Sequence, residues 1–232
     1  TSSKATDQGL AHLADVPQLE QLDLDESRVT SAGLRHLTGA VGLKYLSLRS
    51  TSVGDDLASL RSFPQLVILD LGETAVTDAG LRHVAALPKL RTLLLDGTKI
   101  TDEGLMQFRT VTSITHLLLC NTQVTDAALV HLKELPSLRS LNLRNTQLIG
   151  TGLAHCLDFP RLTHLTVSDT RITDESVRSL GGQRTVEFLN LAGTQITDAG
   201  LASLNDLPAL DQVILDGTAV TDSGLEHLSK LK

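Results

Sequence analysis

His116 and Cys120 stand four residues apart in an apolar stretch, with His164 further along. Imidazole and thiol are the side chains that hold zinc. Four residues of extended chain span about 13 Å, and His164 falls two strands away from His116, about 10 Å. Zinc bonds are about 2 Å long, so these three groups cannot close on one ion. Six more histidines, His12, His36, His83, His131, His155 and His227, recur at one place in a repeated pattern. Helical segments in successive coils are about 10 Å apart, so these rings are expected to be solvated and independent rather than a metal-binding or pH-sensing ladder. A reactive thiol needs a basic neighbour. Cys120 has only Arg144 as a basic neighbour in its row and reads as an ordinary small residue, and Cys156 replaces a leucine and reads as core. The chain has no phosphate-binding loop, Gly-x-Ser-x-Gly elbow or Gly-x-Gly-x-x-Gly turn. No catalytic residue, cofactor or metal is expected, and the chain does not read as an enzyme.

Composition narrows the partners. The net charge of -7 over 232 residues comes without a run of Lys or Arg, so successive phosphates have nothing to neutralise them and nucleic acid is not expected. No apolar run approaches the roughly 20 residues of a membrane-spanning helix, so membrane insertion is not expected. Two cysteines make no disulfide framework, which leans towards a reducing, cytoplasmic setting.

The elements that carry these residues come from a repeat. Units begin at Leu19, Leu43, Leu66, Leu90, Ile114, Leu138, Leu162, Val186 and Leu210, with steps of 24 residues and one of 23. Residues 1–18 match the back half of a unit and 210–232 form a near-complete last one, all in a single domain. Numbered from 1, apolar residues fall at 1, 4, 6, 11, 16, 19 and 22. Positions 3 to 7 alternate as a strand with one buried face does. Positions 16, 19 and 22 share one face of a short helix or looser turn. Thr-Asp at 12 and 13 supplies a capping hydroxyl and a carboxylate at the positive end of the helix dipole. All six prolines stand at position 23, where helix must stop. Position 9 is Ser27 or threonine in every unit, a hydroxyl expected to bond the backbone of its own and the next coil. Gly at position 15, replaced by Ala128 and Ser176 in two units, implies close approach of neighbouring backbone.

The pattern Leu-x-x-Leu-x-Leu with Thr-x-[Val/Ile]-Thr-Asp-x-Gly-Leu resembles the leucine-rich repeats over essentially the whole chain. Its Thr-Asp-x-Gly-Leu segment is similar to the cysteine-containing subclass of F-box substrate receptors, and threonine-type units of this kind resemble arrays in bacterial proteins. The fold class is accordingly an α/β solenoid, a horseshoe with a parallel concave sheet and helices on the convex side. Strands pack at about 4.8 Å while helices need more room, which bends such an array.

Positions 3, 5 and 7 point out of the concave sheet and list a candidate partner-binding surface: Tyr45, Ile68, Thr92 and His116 at position 3, Asp70, Leu94, Leu118 and Asn142 at position 5, and Arg49, Asp96, Cys120 and Arg144 at position 7. Leu94 and Leu118 fall on adjacent strands with Ile68 and Tyr45 close by, an apolar cluster that the fold itself does not require; it is expected to touch a partner, the alternative being incidental surface apolar residues. Acidic residues, Asp23 and Glu73 among them, border it on the N-terminal side. The function expected is non-catalytic binding of a protein or peptide on this face. The alternatives are a structural spacer or assembly element, and the substrate-recognition part of a ubiquitin ligase, which rests on the resemblance alone. Flanking repeats or domains are expected, because terminal coils need caps and "LEHLSKLK" supplies no obvious one.

Three units break the pattern: the one from Leu43 is a residue short near Asp55, the one from Leu138 reads "LIGTG" where Thr-Asp belongs, and the one from Leu162 ends "LGGQRT". Drift in a tolerant array is the expected cause.

Overall fold

In a computed structural model, which describes residues 4–228, each unit places a three-residue strand at its positions 3 to 5. The strands are β1 (Gln21–Asp23), β2 (Tyr45–Ser47), β3 (Ile68–Asp70), β4 (Thr92–Leu94), β5 (His116–Leu118), β6 (Ser140–Asn142), β7 (His164–Thr166), β8 (Phe188–Asn190) and β9 (Gln212–Ile214). Among the described residues they form one parallel sheet in chain order. The register never slips, so Leu22 pairs with Leu46, Leu69 with Leu93 and Leu117 with Leu141. Like positions therefore stack into columns along the array.

The apolar columns are the core. Leu46, Leu69, Leu93, Leu117, Leu141, Leu165 and Leu189 at position 4 are buried, as are Val29, Val53, Val76, Ile100, Val124, Leu148, Ile172 and Ile196 at position 11. Each such side chain contributes about 1.5–3 kcal/mol of transfer free energy. Burial lapses at the two ends, where Leu22, Val213, Leu215 and Val220 are only half-covered. The helical part of each coil is short. It is α-helical in Asp78–Val84, Asp174–Arg178 and Asp198–Ser203, for example, and only 3-10 in Gly33–Leu37, Ala58–Ser62 and Leu153–Asp158. Residues 1–3 of the leading part-unit and 229–232 of the last one, the second half of the expected uncapped end, lie outside the described residues.

Two features correct the sequence-based expectations. The position-9 hydroxyls do not bridge coils. Each threonine donates to the position-6 carbonyl of its own coil, as Thr98 does to Leu95 at 2.5 Å and Thr122 to Leu119 at 2.7 Å. They close the turn after the strand, where position 8 is left-handed in every unit, from Glu26 (φ 55°) to Gly217 (φ 67°).

The bridge between coils is made instead by the aspartate at position 13. Asp78 accepts from the Thr101 backbone N–H at 2.9 Å and from the Thr101 hydroxyl at 2.6 Å. Asp7, Asp55, Asp102, Asp174 and Asp198 do the same for Thr30, Thr77, Thr125, Thr197 and Thr221. The threonine hydroxyl also caps its own helix, accepting from Glu103 N–H at 3.3 Å in the case of Thr101. Glycine at position 15 leaves room for the carboxylate, since a Cβ on Gly104 would lie 2.2 Å from Asp78 Oδ1 and one on Gly200 2.4 Å from Asp174 Oδ1.

Two of the irregular units supply the missing acceptor from other residues. Where Gly150 stands in place of the aspartate, the next coil has Ser176 in place of glycine. The Ser176 hydroxyl takes over as acceptor for the Thr173 N–H at 3.2 Å. Where Ser31 stands in place of the aspartate, the following coil lacks its position-15 residue altogether, and Ser31 Oγ bonds Gly54 N–H at 2.9 Å. In "LGGQRT", Gln183 occupies the core position 22. It is almost fully buried, and its amide bonds Thr185 and Val186 and reaches the Phe159 carbonyl of the preceding coil.

Candidate functional site

Side chains at positions 3, 5 and 7 point away from the leucine core because the strand alternates. The register places Leu94 of β4 directly beside Leu118 of β5, and Tyr45 of β2 directly beside Ile68 of β3. The nearer members of the two pairs, Ile68 and Leu94, are one strand and two residues apart, with Asp70 beside Leu94 and Thr92 beside Ile68. All four apolar side chains are half-buried rather than exposed. The cluster is thus a low apolar floor, with His116 standing exposed at its edge.

The acidic side is tightly organised. Asp70 and Asp96 are each only 8% exposed. Asp70 accepts from Gly72 N–H at 2.7 Å, and Asp96 accepts from Cys120 N–H in the next coil at 2.8 Å. Asp25 in the same way accepts from Arg49 N–H at 2.9 Å and from the Ser47 hydroxyl. The Arg49 guanidinium stands among three carboxylates, 3.9 Å from Asp70 and 3.7 Å from both Glu73 and Asp96. Burial pushes the Asp70 carboxyl above its ordinary value, against the pull of Gly72 N–H and Arg49, and with Asp25 and Asp96 adding to the rise.

Cys120 is not an activated thiol. Burial, reinforced by the Asp96 carboxylate, pushes it up to about 12, and burial alone does the same to Cys156. His116 is held below the ordinary histidine value by burial first, then by His164 and Arg139. His164 itself stacks on Phe188 with ring centroids 5.5 Å apart. Among the described residues no three His, Cys, Asp or Glu side chains come together as a metal-binding set, and no helix is long and apolar enough to cross a membrane.

At the carboxyl ends of the strands the surface dips into an open polar groove of about 730 Å³. It unites Arg49, Asp96, Cys120, Asn142 and Arg144 of the expected set. It also includes Asn121, Asn145 and Asp169, which strand alternation does not point to. These three occupy the left-handed position 8, and a polar residue tolerant of positive φ at a fixed offset from the strand is the sequence signal that marks them. Asn145 donates to Asn121 at 2.7 Å and Arg144 pairs with Asp169 at 2.7 Å, so the groove wall is cross-linked along the array. Tyr45, Ile68, Thr92 and His116 lie nearer the other end of the strands and outside this groove.

Comparison with known proteins agrees with the repeat. The family model described as "Leucine Rich repeat" matches residues 86–108, 161–181 and 182–204, so these segments match leucine-rich repeats. No curated protein sequence matches it. Among solved structures it resembles an internalin from Listeria monocytogenes at a TM-score of 0.62 and 22% identity, over 96% of this chain and 75% of that one. A leucine-rich-repeat protein of Leptospira interrogans matches at 0.62 and 18% identity, over 96% and 74%. A plant peptide hormone receptor, RGFR1, solved in complex with RGF2, matches at 0.56 and 16% identity, over 96% of this chain but only 44% of the receptor. These likenesses establish the leucine-rich-repeat fold.

Proposed function

We propose that this leucine-rich-repeat chain is a non-catalytic binding module that holds a protein or peptide against its concave sheet. The observation that carries the reading is the placement of Leu94 beside Leu118 in outward positions of neighbouring strands, where a soluble solenoid has no packing use for leucine. Contiguous apolar area of this kind, rimmed by charge, is what a partner covers.

The partner would rest on the Leu94 and Leu118 floor, with Tyr45, Ile68, Thr92 and His116 on one flank. On the other flank Asn142, Arg144, Cys120 and Arg49 offer hydrogen bonds across the groove. Asp70 and Asp96 have carboxylates committed to backbone donors, so their contribution is negative potential rather than direct contact. Coils are joined by many backbone and Asp–Thr bonds, so the face is held in place before a partner arrives, which lowers the ordering cost of binding. The nucleophilic groups are otherwise occupied: the described position-9 threonine hydroxyls are spent on their own coils and both thiols are held protonated. The leucine-rich repeat is a common interaction module, and RGFR1 was solved with a peptide hormone bound, which supports the general reading. Capture from the source cell by the parent chain and by a Leu94→Asp, Leu118→Asp variant tests it.

A further inference from the structure

A second groove, of about 740 Å³, lies on the opposite side of the sheet edge, where the chain enters the strands. Its lining comes from positions 24 and 2 of successive coils and includes Lys89, Arg91, Arg139 and Arg161, with Ser113 and Ser137 between them. All four cations are exposed. The main chains of the two central arginines are pinned: Arg91 N–H bonds the Val67 carbonyl and Arg139 N–H the Thr115 carbonyl, each at 2.8 Å. Lys89 Nζ donates to the neutral Gln65 amide oxygen at 2.6 Å, which leaves its charge uncompensated. Among the described residues none of the four forms an ion pair, whereas Lys44, two coils back from Arg91 in the same row, is neutralised by Glu20 at 2.6 Å. In a chain of net charge -7, four unneutralised cations around one groove are a local reversal of sign. Arg139 is close enough to help hold down the protonation of His116.

We propose that this groove binds an extended acidic segment of a protein partner, with carboxylates of that segment on Arg91 and Arg139. The two arginines lead into strands two apart, a separation of about 10 Å, which matches three residues of extended chain. Arg161, one coil beyond Arg139, and Lys89 at the other end extend the track to about 14 Å. Ser113 and Ser137 put hydroxyl donors on the floor between the charges. The groove lining contains no aromatic ring, which is the platform that single-stranded nucleic acid needs for base stacking. The inference stands apart from the concave-face reading, because no residue of this groove belongs to the Leu94 and Leu118 cluster.

The test is fluorescence anisotropy with the 232-residue chain and a labelled heptapeptide carrying glutamates at its first, fourth and seventh positions. The expected result is saturable binding that weakens as ionic strength rises from about 0.05 to about 0.5 M. The all-glutamine counterpart, and the Arg91→Glu, Arg139→Glu variant with the glutamate peptide, should each bind at least about tenfold more weakly. If charge reversal prevents folding, as circular dichroism would show, Arg91→Gln, Arg139→Gln takes its place. A Leu94→Ser, Leu118→Ser variant, which alters the concave floor without adding charge, should bind the glutamate peptide within about twofold of the parent, which separates this site from the concave one. Absence of binding, equal binding of the glutamine peptide, indifference to the arginine variants, or tighter binding of an oligothymidylate would overturn the proposal.

Discussion

Ser176 Oγ stands 2.0 Å from where a Cβ on Gly150 would be. The two residues, a full coil apart, exchange the sizes that aspartate and glycine have elsewhere in the array. Position 13 of one coil and position 15 of the next are therefore a single packing and hydrogen-bonding unit: Asp goes with a small residue, Gly150 with Ser176, and Ser31 with a coil that lacks position 15.

That pairing makes a double-mutant cycle informative. Asp78→Gly should leave the Thr101 N–H and hydroxyl without their acceptor, a loss of about 1–3 kcal/mol. Gly104→Ser should crowd the Asp78 carboxylate and cost a similar amount. Together the two changes reproduce the Gly150 and Ser176 arrangement, and the introduced hydroxyl can accept from Thr101. Urea unfolding should then show the double variant more stable than the sum of the singles by at least about 1 kcal/mol. Simple additivity would mean that the two positions are independent.

The turn hydroxyl is expected to act within one coil. Thr98→Val keeps the shape and removes the bond to the Leu95 carbonyl, which still accepts from Thr98 N–H. A loss of about 1 kcal/mol follows, without a change in the cooperativity of unfolding. A loss several times larger, or a broadened transition, would point to a ladder running between coils.

Asp70 gives a pH signature. Its raised pKa means that ionisation is disfavoured in the folded state, a penalty absent below the ordinary carboxylate range. The penalty grows as pH rises through the folded value and is complete above it. Asp70→Asn retains an acceptor for Gly72 N–H, as Asn142 does for Arg144 N–H and Asn190 for Ala192 N–H. The variant should melt above the parent at pH 7, with the gap closing in acid. Asp198 acts in the opposite sense. Thr221 holds its carboxyl below the usual range through its N–H and hydroxyl, so that contribution is present above the ordinary value and fades as pH falls through the lowered one. A gap for Asp70→Asn that is reversed, or independent of pH, would contradict the account.

The thiols provide a check that does not depend on stability. Cys120 is partly accessible, so its protonation rather than shielding should limit its chemistry. With a pKa of about 12, alkylation at pH 8 should run about three orders of magnitude slower than for a free cysteine, in proportion to the thiolate present. Rapid labelling of Cys120 in the native chain would show that the pocket beside Asp96 is wetter and less negative than described.

Much of this frame was legible in the sequence, because a fixed period places each residue in a column. The strands at positions 3 to 5, the apolar columns and the outward pairing of Leu94 with Leu118 all follow from alternation and spacing. What escaped notice depends on neighbours in the next coil. Asp78 looks like a helix-start carboxylate until Thr101 of the following coil is seen to donate to it twice. The "LIGTG" segment looks like decay until Ser176 is set beside Gly150. The strand-entry groove escaped because Arg91, Arg139 and Arg161 lie at positions 2 and 24, outside the alternation that defines a sheet face. The half-burial of Tyr45, Ile68, Leu94 and Leu118 depends on how closely adjacent columns pack, which periodicity alone does not give.

The most direct test of the concave-face account is quantitative capture from the source cell with the parent chain beside its Leu94→Asp, Leu118→Asp variant, both shown by circular dichroism and thermal melting to be folded. The account predicts a protein retained by the parent and lost by the variant, with binding of the purified pair weakened by at least about tenfold. Equal retention by both folded chains would contradict it and move the binding surface away from the Leu94 and Leu118 floor.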